Sequence, residues 1–333
     1  MPDQPQEPTA PDAAPPPADA SPPAADPARR RQTLAAIAAV AVVALVAAFL
    51  VGRDGDGARP AGAWTLRPYQ GLGAWVDVYD WTEALGGPDP AVGPEDLRAM
   101  ADLGVQTVFL QTAHARIPGD VAEPERLEAL VDAAHDAGLH VVAWYLPALV
   151  DVDADLARLV AASELDVDGL GVDIETTEVE DPAVRNGRLL ELTDRLRDAV
   201  GDDKALSAIT LTAVHLQVVN PAFWPDFPWA QIGQAYDVIQ PMTYWTIRTG
   251  ELRSGQRYVG DNLALLRELV GPDVPIHPIG GIADEATPED LAGMVEVVRS
   301  GGAIGGSLYD WATSRPEQWE ALAPLRALRP DDG

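Results

Sequence analysis

Residues 168–177 read DGLGVDIETT, three acids set in a run of glycine and aliphatic residues that otherwise resembles a buried strand. Side chains alternate along a strand, so Gly171, Asp173 and Glu175 share one face while Val172 and Ile174 share the other. The aliphatic pair is suited to packing under helices. The acids would then project from the opposite face, close to where the strand ends.

Working outward, the same pattern recurs: a short β-rich run, a loop, then an amphipathic helix. The expected strands are 71–79 (GLGAWVDVY), 105–112 (VQTVFLQT), 140–146 (HVVAWYL), 169–175 (GLGVDIE), 208–214 (AITLTAV), 237–245 (DVIQPMTYW), 275–281 (PIHPIGG) and 305–311 (GGSLYDW). Helical patterns such as GPEDLRAMADLG, EPERLEALVDAAHDAGL and TPEDLAGMVEVVRSGG lie between them. These open with proline and acids and close at glycine, as helix ends prefer. Eight strands alternating with helices predict a (β/α)8 TIM barrel over residues 64–329. A doubly wound open sheet is the second choice, but no G-x-G-x-x-G opens a helix after the first strand. In a barrel, function sits at the C-terminal ends of the strands, and this puts the acids of strand four on the functional rim.

Composition narrows the partners. The 333-residue chain carries 23 Lys and Arg against 52 Asp and Glu, a formal charge of -29, and Lys204 is its only lysine. A phosphate backbone would be repelled, so nucleic acid is not an expected partner. Without cysteine there are no disulfides and no thiolate metal sites. The histidines 114, 135, 140, 215 and 277 form neither H-x-H nor H-E-x-x-H, so no metal is expected, and no cofactor motif is present. Gly280-Gly281 is only a weak phosphate-loop signal, lacking a basic neighbour.

The first 32 residues, rich in Pro and Ala, read as a disordered tail ending in Arg29, Arg30 and Arg31. Residues 33–51, TLAAIAAVAVVALVAAFLV, contain no charge, and at about 1.5 Å per residue they span a bilayer as a helix. Residues 33–52 are therefore expected to be a transmembrane signal anchor. The preceding arginines leave the tail cytoplasmic and the rest of a single-pass protein outside. Residues 53–63 form a Gly, Pro and Asp linker.

Two carboxylates close together push their pKa values apart, so that one remains protonated as an acid while its neighbour ionises. Residues 167–175, VDGLGVDIE, resemble the strand-four signature D-G-x-D-x-D-x-E of family 18, chitinase-like glycoside hydrolases. That resemblance implies a carbohydrate substrate, with Glu175 protonating the glycosidic oxygen and Asp173 orienting an N-acetyl group that acts as nucleophile. The chain departs from the signature at Gly171, where the family has its middle Asp. Gln240-Pro241-Met242-Thr243-Tyr244 is similar to the family's Q-x-M-x-Y-D segment, with Trp245 in place of that Asp, and implies that Gln240 and Tyr244 contact the sugar. Strand eight, residues 305–311, loosely resembles the family's G-G-x-M-x-W.

Trp75, Trp144, Trp245 and Trp311 fall in or at the ends of strands one, three, six and eight, where indole faces can stack on sugar rings. Asp77, on the face of Trp75, is a candidate second carboxylate, and Asp310 a further rim acid. These readings give a membrane-anchored, extracytoplasmic glycoside hydrolase as the expected function. The alternative is a lectin-like barrel that binds carbohydrate without turnover, which the replacements at 171 and 245 favour.

Overall fold

The computed structural model describes residues 65–201 and 204–330. Eight parallel strands close into a barrel in sequence order. They are β1 (Gly71–Val76), β2 (Thr107–Gln111), β3 (His140–Tyr145), β4 (Gly169–Ile174), β5 (Ala205–Thr210), β6 (Val238–Thr243), β7 (Ile279–Ile282) and β8 (Gly305–Tyr309). The main helices follow them outside: α1 (Pro94–Asp102), α2 (Pro124–Asp136), α3 (Val152–Ser163), α4 (Pro182–Val200), α5 (Trp229–Ala235), α6 (Gly255–Leu269), α7 (Pro288–Ser300) and α8 (Pro316–Leu322). The expected tail, anchor and linker lie outside the described residues, as does Trp64. Among the described residues no helix is long and apolar enough to cross a membrane.

The helices start where local chemistry dictates. Asp181 accepts from the backbone N–H groups of Ala183 and Val184 at 2.8 and 3.3 Å, with Pro182 in the first turn of α4. Thr287 caps α7 in the same way, accepting from Asp290 N at 3.1 Å. A cap of this kind contributes about 1 kcal/mol.

Alternation along the strands separates two apolar regions. Leu72, Val108, Val141, Leu170, Val172 and Leu206 face outward and are covered by the helices. Trp75, Phe109, Val142, Ile209, Met242 and Ile279 fill the barrel interior. Tyr69 plugs the lower end, donating its hydroxyl to the carbonyls of Leu170 and Ala205 at 2.9 and 2.8 Å. Arg329 fastens the chain's return beside it, through the carbonyls of Gln70 and Gln106 and the Thr107 hydroxyl.

Strand five begins three residues before the expected 208–214. Its register, Asp173 beside Ile209 and Ile174 beside Thr210, ends the pairing at Thr210. Beyond it the β-rich LTAV leaves the sheet, and Thr212 turns its hydroxyl to that of Tyr258, 2.6 Å away. Strand seven is short because Pro275 and Pro278 supply no N–H to a ladder. Gly280 and Gly281 accommodate side-chain packing: a Cβ on Gly280 would strike the Met294 sulfur, and one on Gly281 would lie 3.1 Å from the Trp245 ring.

Candidate active site

The acids of DGLGVDIETT serve opposite ends of one strand. Asp168, at the lower end, accepts from Val141 N at 2.8 Å and lies 3.2 Å from both the His135 and His140 rings. Burial pushes its carboxyl up, but the hydrogen bonds from His140 and Val141 outweigh this and hold it at about 2. Its role is to tie β3, α2 and β4 together.

Asp173 and Glu175 sit at the upper end, in a cavity of about 340 Å³ at the mouth of the barrel. Asp173 is 5% exposed, and its Oδ1 has no hydrogen-bond partner. Burial, and then the charge of Glu175, raise its carboxyl well above the usual carboxylate range. Burial also raises Glu175. Two carboxyls so placed titrate as a unit and retain protons at a pH where exposed acids have lost theirs.

Position 171 lies one step below on the same face. A Cβ there would stand 2.9 Å from Ile209 Cδ1, 3.1 Å from Ser207 Oγ and 3.2 Å from Trp144 Cβ. The space that a larger side chain would need is filled by its neighbours. Asp173 therefore has no carboxylate beneath it.

Asp77 lines the same cavity. It caps a short helical turn, Val78–Trp81, accepting from Tyr79 N at 2.7 Å, and its Oδ2 accepts the Tyr309 hydroxyl at 2.7 Å. Tyr244 reaches the cavity from the end of β6, on the inward face of Gln240 and Met242. Its hydroxyl is held well above the ordinary phenol range by burial and then by Asp173 and Glu175. Trp144 completes the wall, its indole N–H donating to Phe109 O at 3.2 Å.

The other expected residues lie elsewhere. Trp75 is 1% exposed and stacks on Phe109 at 4.4 Å inside the barrel, with its N–H donating to the Ser307 hydroxyl in β8 at 2.8 Å. Gln240 is fully buried in the interior, with neither amide atom partnered. Trp245 is fully buried on the opposite face from Tyr244, packed against Gly280 and Gly281 under the helices. Trp311 donates to Asp96 Oδ1 at 3.1 Å and packs on Trp319 outside the mouth. Asp310 lies beside the cavity, accepting from the Thr313 backbone and hydroxyl at 2.9 Å. Carboxylate oxygens of Asp77, Asp80 and Asp310 all come within 4.8 Å of one another. Burial, with the charges of Asp77 and Asp310, pushes Asp80 up to about 7. No resident metal was expected from the sequence, and this acidic triplet is the only grouping of its kind among the described residues.

Sequence reasoning missed Tyr79, Gln111, His114 and Tyr309, which also line the cavity. Tyr309 and Gln111 lie on the inward face of their strands, Gln111 two residues after the interior Phe109, so alternation alone contained that signal. Tyr79 falls in the expected strand 71–79 but sits in the helical turn Val78–Trp81, and His114 comes from a loop, where no period guides the eye. His277 lies at the barrel's lower end, its Nδ1 2.7 Å from Tyr69 O, far from this mouth. His215 opens a short helical segment, His215–Val219, and lies beside Arg248 at 3.2 Å.

No protein-family profile matches the chain, and no curated protein matches it. Solved structures share its fold at low identity. A class V chitinase from Pseudomonas fluorescens superimposes with a TM-score of 0.56 at 13% identity, over 77% of this chain and 99% of that one. A family 18 N-acetylglucosaminidase from Paenibacillus barengoltzii gives 0.52 at 13%, over 76% and 99%. An endo-β-1,4-mannanase from Thermotoga petrophila gives 0.58 at 10%, over 78% and 76%. The chain thus has the eight-stranded parallel barrel of chitinase-like glycoside hydrolases, the fold that the strand-four resemblance implied.

Proposed function

We propose that this protein is a glycoside hydrolase in which Glu175 donates a proton to the glycosidic oxygen as the bond to the leaving sugar breaks. The observation that carries this reading is the Asp173–Glu175 pair at the upper end of β4, in a cavity walled by Trp144 and Tyr244. A general acid must hold its proton near working pH and release it in the transition state, and burial gives Glu175 that property. Asp77, in the same cavity and oriented by Tyr309, is the candidate to stabilise positive charge at the anomeric carbon or to activate water. Asp173 keeps a proton near Glu175, and burial, with the surrounding acids, keeps Tyr244 neutral as a hydrogen-bond donor to the sugar.

The uncharged run at 33–51 and the arginines before it support anchoring in a membrane, with the barrel on the extracytoplasmic side. On this reading the substrate is a polysaccharide or cell-surface glycan.

Reducing-sugar release from a glycan panel tests the reaction. Glu175→Gln is expected to lose about 10²–10⁴-fold in kcat, and a variant as active as wild type would exclude Glu175 as the acid. The packed position 171, which leaves Asp173 without a lower partner, favours the second reading of a lectin-like barrel. Binding without turnover by the wild type would support it.

A further inference from the structure

The charge in the mouth of the barrel is one-sided. Three carboxyl groups, Asp77, Asp173 and Glu175, line the cavity, and neither lysine nor arginine does. Asp80 and Asp310 add acids within 4.8 Å of the Asp77 carboxylate. The guanidinium bonded to a lining residue is that of Arg116, which donates to the Tyr79 hydroxyl. His114, the one ring in the lining that could carry positive charge, is pushed toward its neutral form by burial and by Arg116.

Within this acidic cavity lies a buried acceptor that the protein leaves unsatisfied, Asp173 Oδ1. A carboxylate buried without a donor is costly, and each such group calls for a partner. A cation beside Asp173 displaces the proton that the free site retains, and the ionised carboxyl then only accepts hydrogen bonds, so the ligand that matches this site is rich in donors and positively charged. An acetamido group offers one N–H together with a carbonyl acceptor and no charge. An ammonium group offers three donors, no acceptor and a positive charge.

We infer that the sugar bound in this cavity carries a free amino group, so that the substrate class is a de-N-acetylated hexosamine polymer. The inference rests on the carbohydrate-active reading above and assigns the ligand of that same site. It also gives a physical sense to Gly171: the packed floor leaves Asp173 facing the ligand alone. The repulsion among Asp77, Asp80 and Asp310 that raises Asp80 is relieved when an ammonium group binds beside them.

Calorimetric titration of the full-length protein in detergent with EDTA tests this, using β-1,4-linked hexamers of glucosamine, N-acetylglucosamine and glucose. Wild type and Glu175→Gln are both titrated, so that binding is read with and without turnover. The glucosamine hexamer is expected to bind at least tenfold more tightly than the other two, with the advantage shrinking severalfold in 0.5 M NaCl. Asp77→Asn is expected to reduce that preference at least fivefold; Asp310→Asn, which keeps its acceptor to Thr313, provides a second variant should the first misfold. Equal affinity for the three hexamers, tighter binding of the acetylated one, binding of none, or a preference that appears only when calcium replaces EDTA would each overturn the inference. Product analysis by mass spectrometry is read separately. A glucosamine hexamer that is bound selectively but left uncleaved upholds the ligand class and refutes the hydrolase.

Discussion

Asp173 gives the site a pH dependence of its own. Burial and Glu175 raise its carboxyl in the folded protein, so the fold retains a proton that the unfolded chain releases. Stability from this proton is complete below the ordinary carboxylate pKa and is lost as pH rises through the raised folded value. Asp173→Asn is therefore expected to raise Tm relative to wild type at pH 8 and to leave it unchanged at pH 3.5, by roughly 2–4 °C for each kcal/mol relieved. An equal shift at both pH values, measured by thermal denaturation, would show that charge is not the cause. The same raised titration bears on catalysis. Glu175 acts as an acid only while protonated, so kcat/KM is expected to fall on the alkaline side at a pH above the usual Glu value of about 4.3. A pH–rate profile that falls at that ordinary value would contradict the assignment.

At the scale of elements, β4 and β5 are fitted to each other through small residues. Gly171 stands beside Ser207, and Ile209 occupies the space above. Gly171→Asp, which restores the full acid pattern of strand four, is expected to cost about 1–3 kcal/mol through overpacking. Pairing it with Ile209→Ala should recover part of that loss in denaturant titrations, and an additive double variant would refute the steric account. The loop after β4 is held by α4: Arg185, 3% exposed, donates to Thr176 O at 3.1 Å and lies over the Trp224 ring at 4.3 Å. That clamp fixes the backbone next to Glu175. The sequence showed the strand and its inward face, because a period of two survives in seven short residues. It did not show the clamp, which joins residues 39 positions apart, nor the end of β5, which is set by pairing with β4 rather than by β-propensity.

At the largest scale, the barrel has an open, acidic upper mouth and a sealed lower end. His277 belongs to the seal, fully buried against Tyr69 O. Burial lowers it to about 4, so it is neutral in the folded protein, while the unfolded chain takes up a proton near pH 6.5. Stability is therefore lost as pH falls from about 6.5 to about 4, and the shift corresponds to about 3 kcal/mol. His277→Asn should lower Tm at pH 7 yet lose less on going to pH 4.5 than wild type does, and parallel curves would exclude the histidine as the cause. Among the described residues the large exposed apolar side chains Tyr79, Val150, Val218, Val219 and Ile247 lie in segments that follow strands, on the side of the mouth, and Val184 lies in the first turn of α4.

The sequence by itself determined the barrel, its eight strands, and the inward pairing of Asp173 with Glu175, because alternation and helix punctuation are local and each repeats along the chain. Alternation also puts Trp245 on the opposite face from Tyr244, against the expectation that both contact a sugar, and the structure buries Trp245 accordingly. Only the tertiary structure decided depth. Trp75 and Gln240 share the inward face with Asp77 and Tyr244, yet they lie in lower layers of the interior, and a residue's layer depends on how neighbouring strands are staggered when the sheet closes. The same closure brought Asp77, Tyr309 and Glu175 from three separate strands' ends into one cavity, and it filled the space beside Gly171 with Ile209 and Trp144.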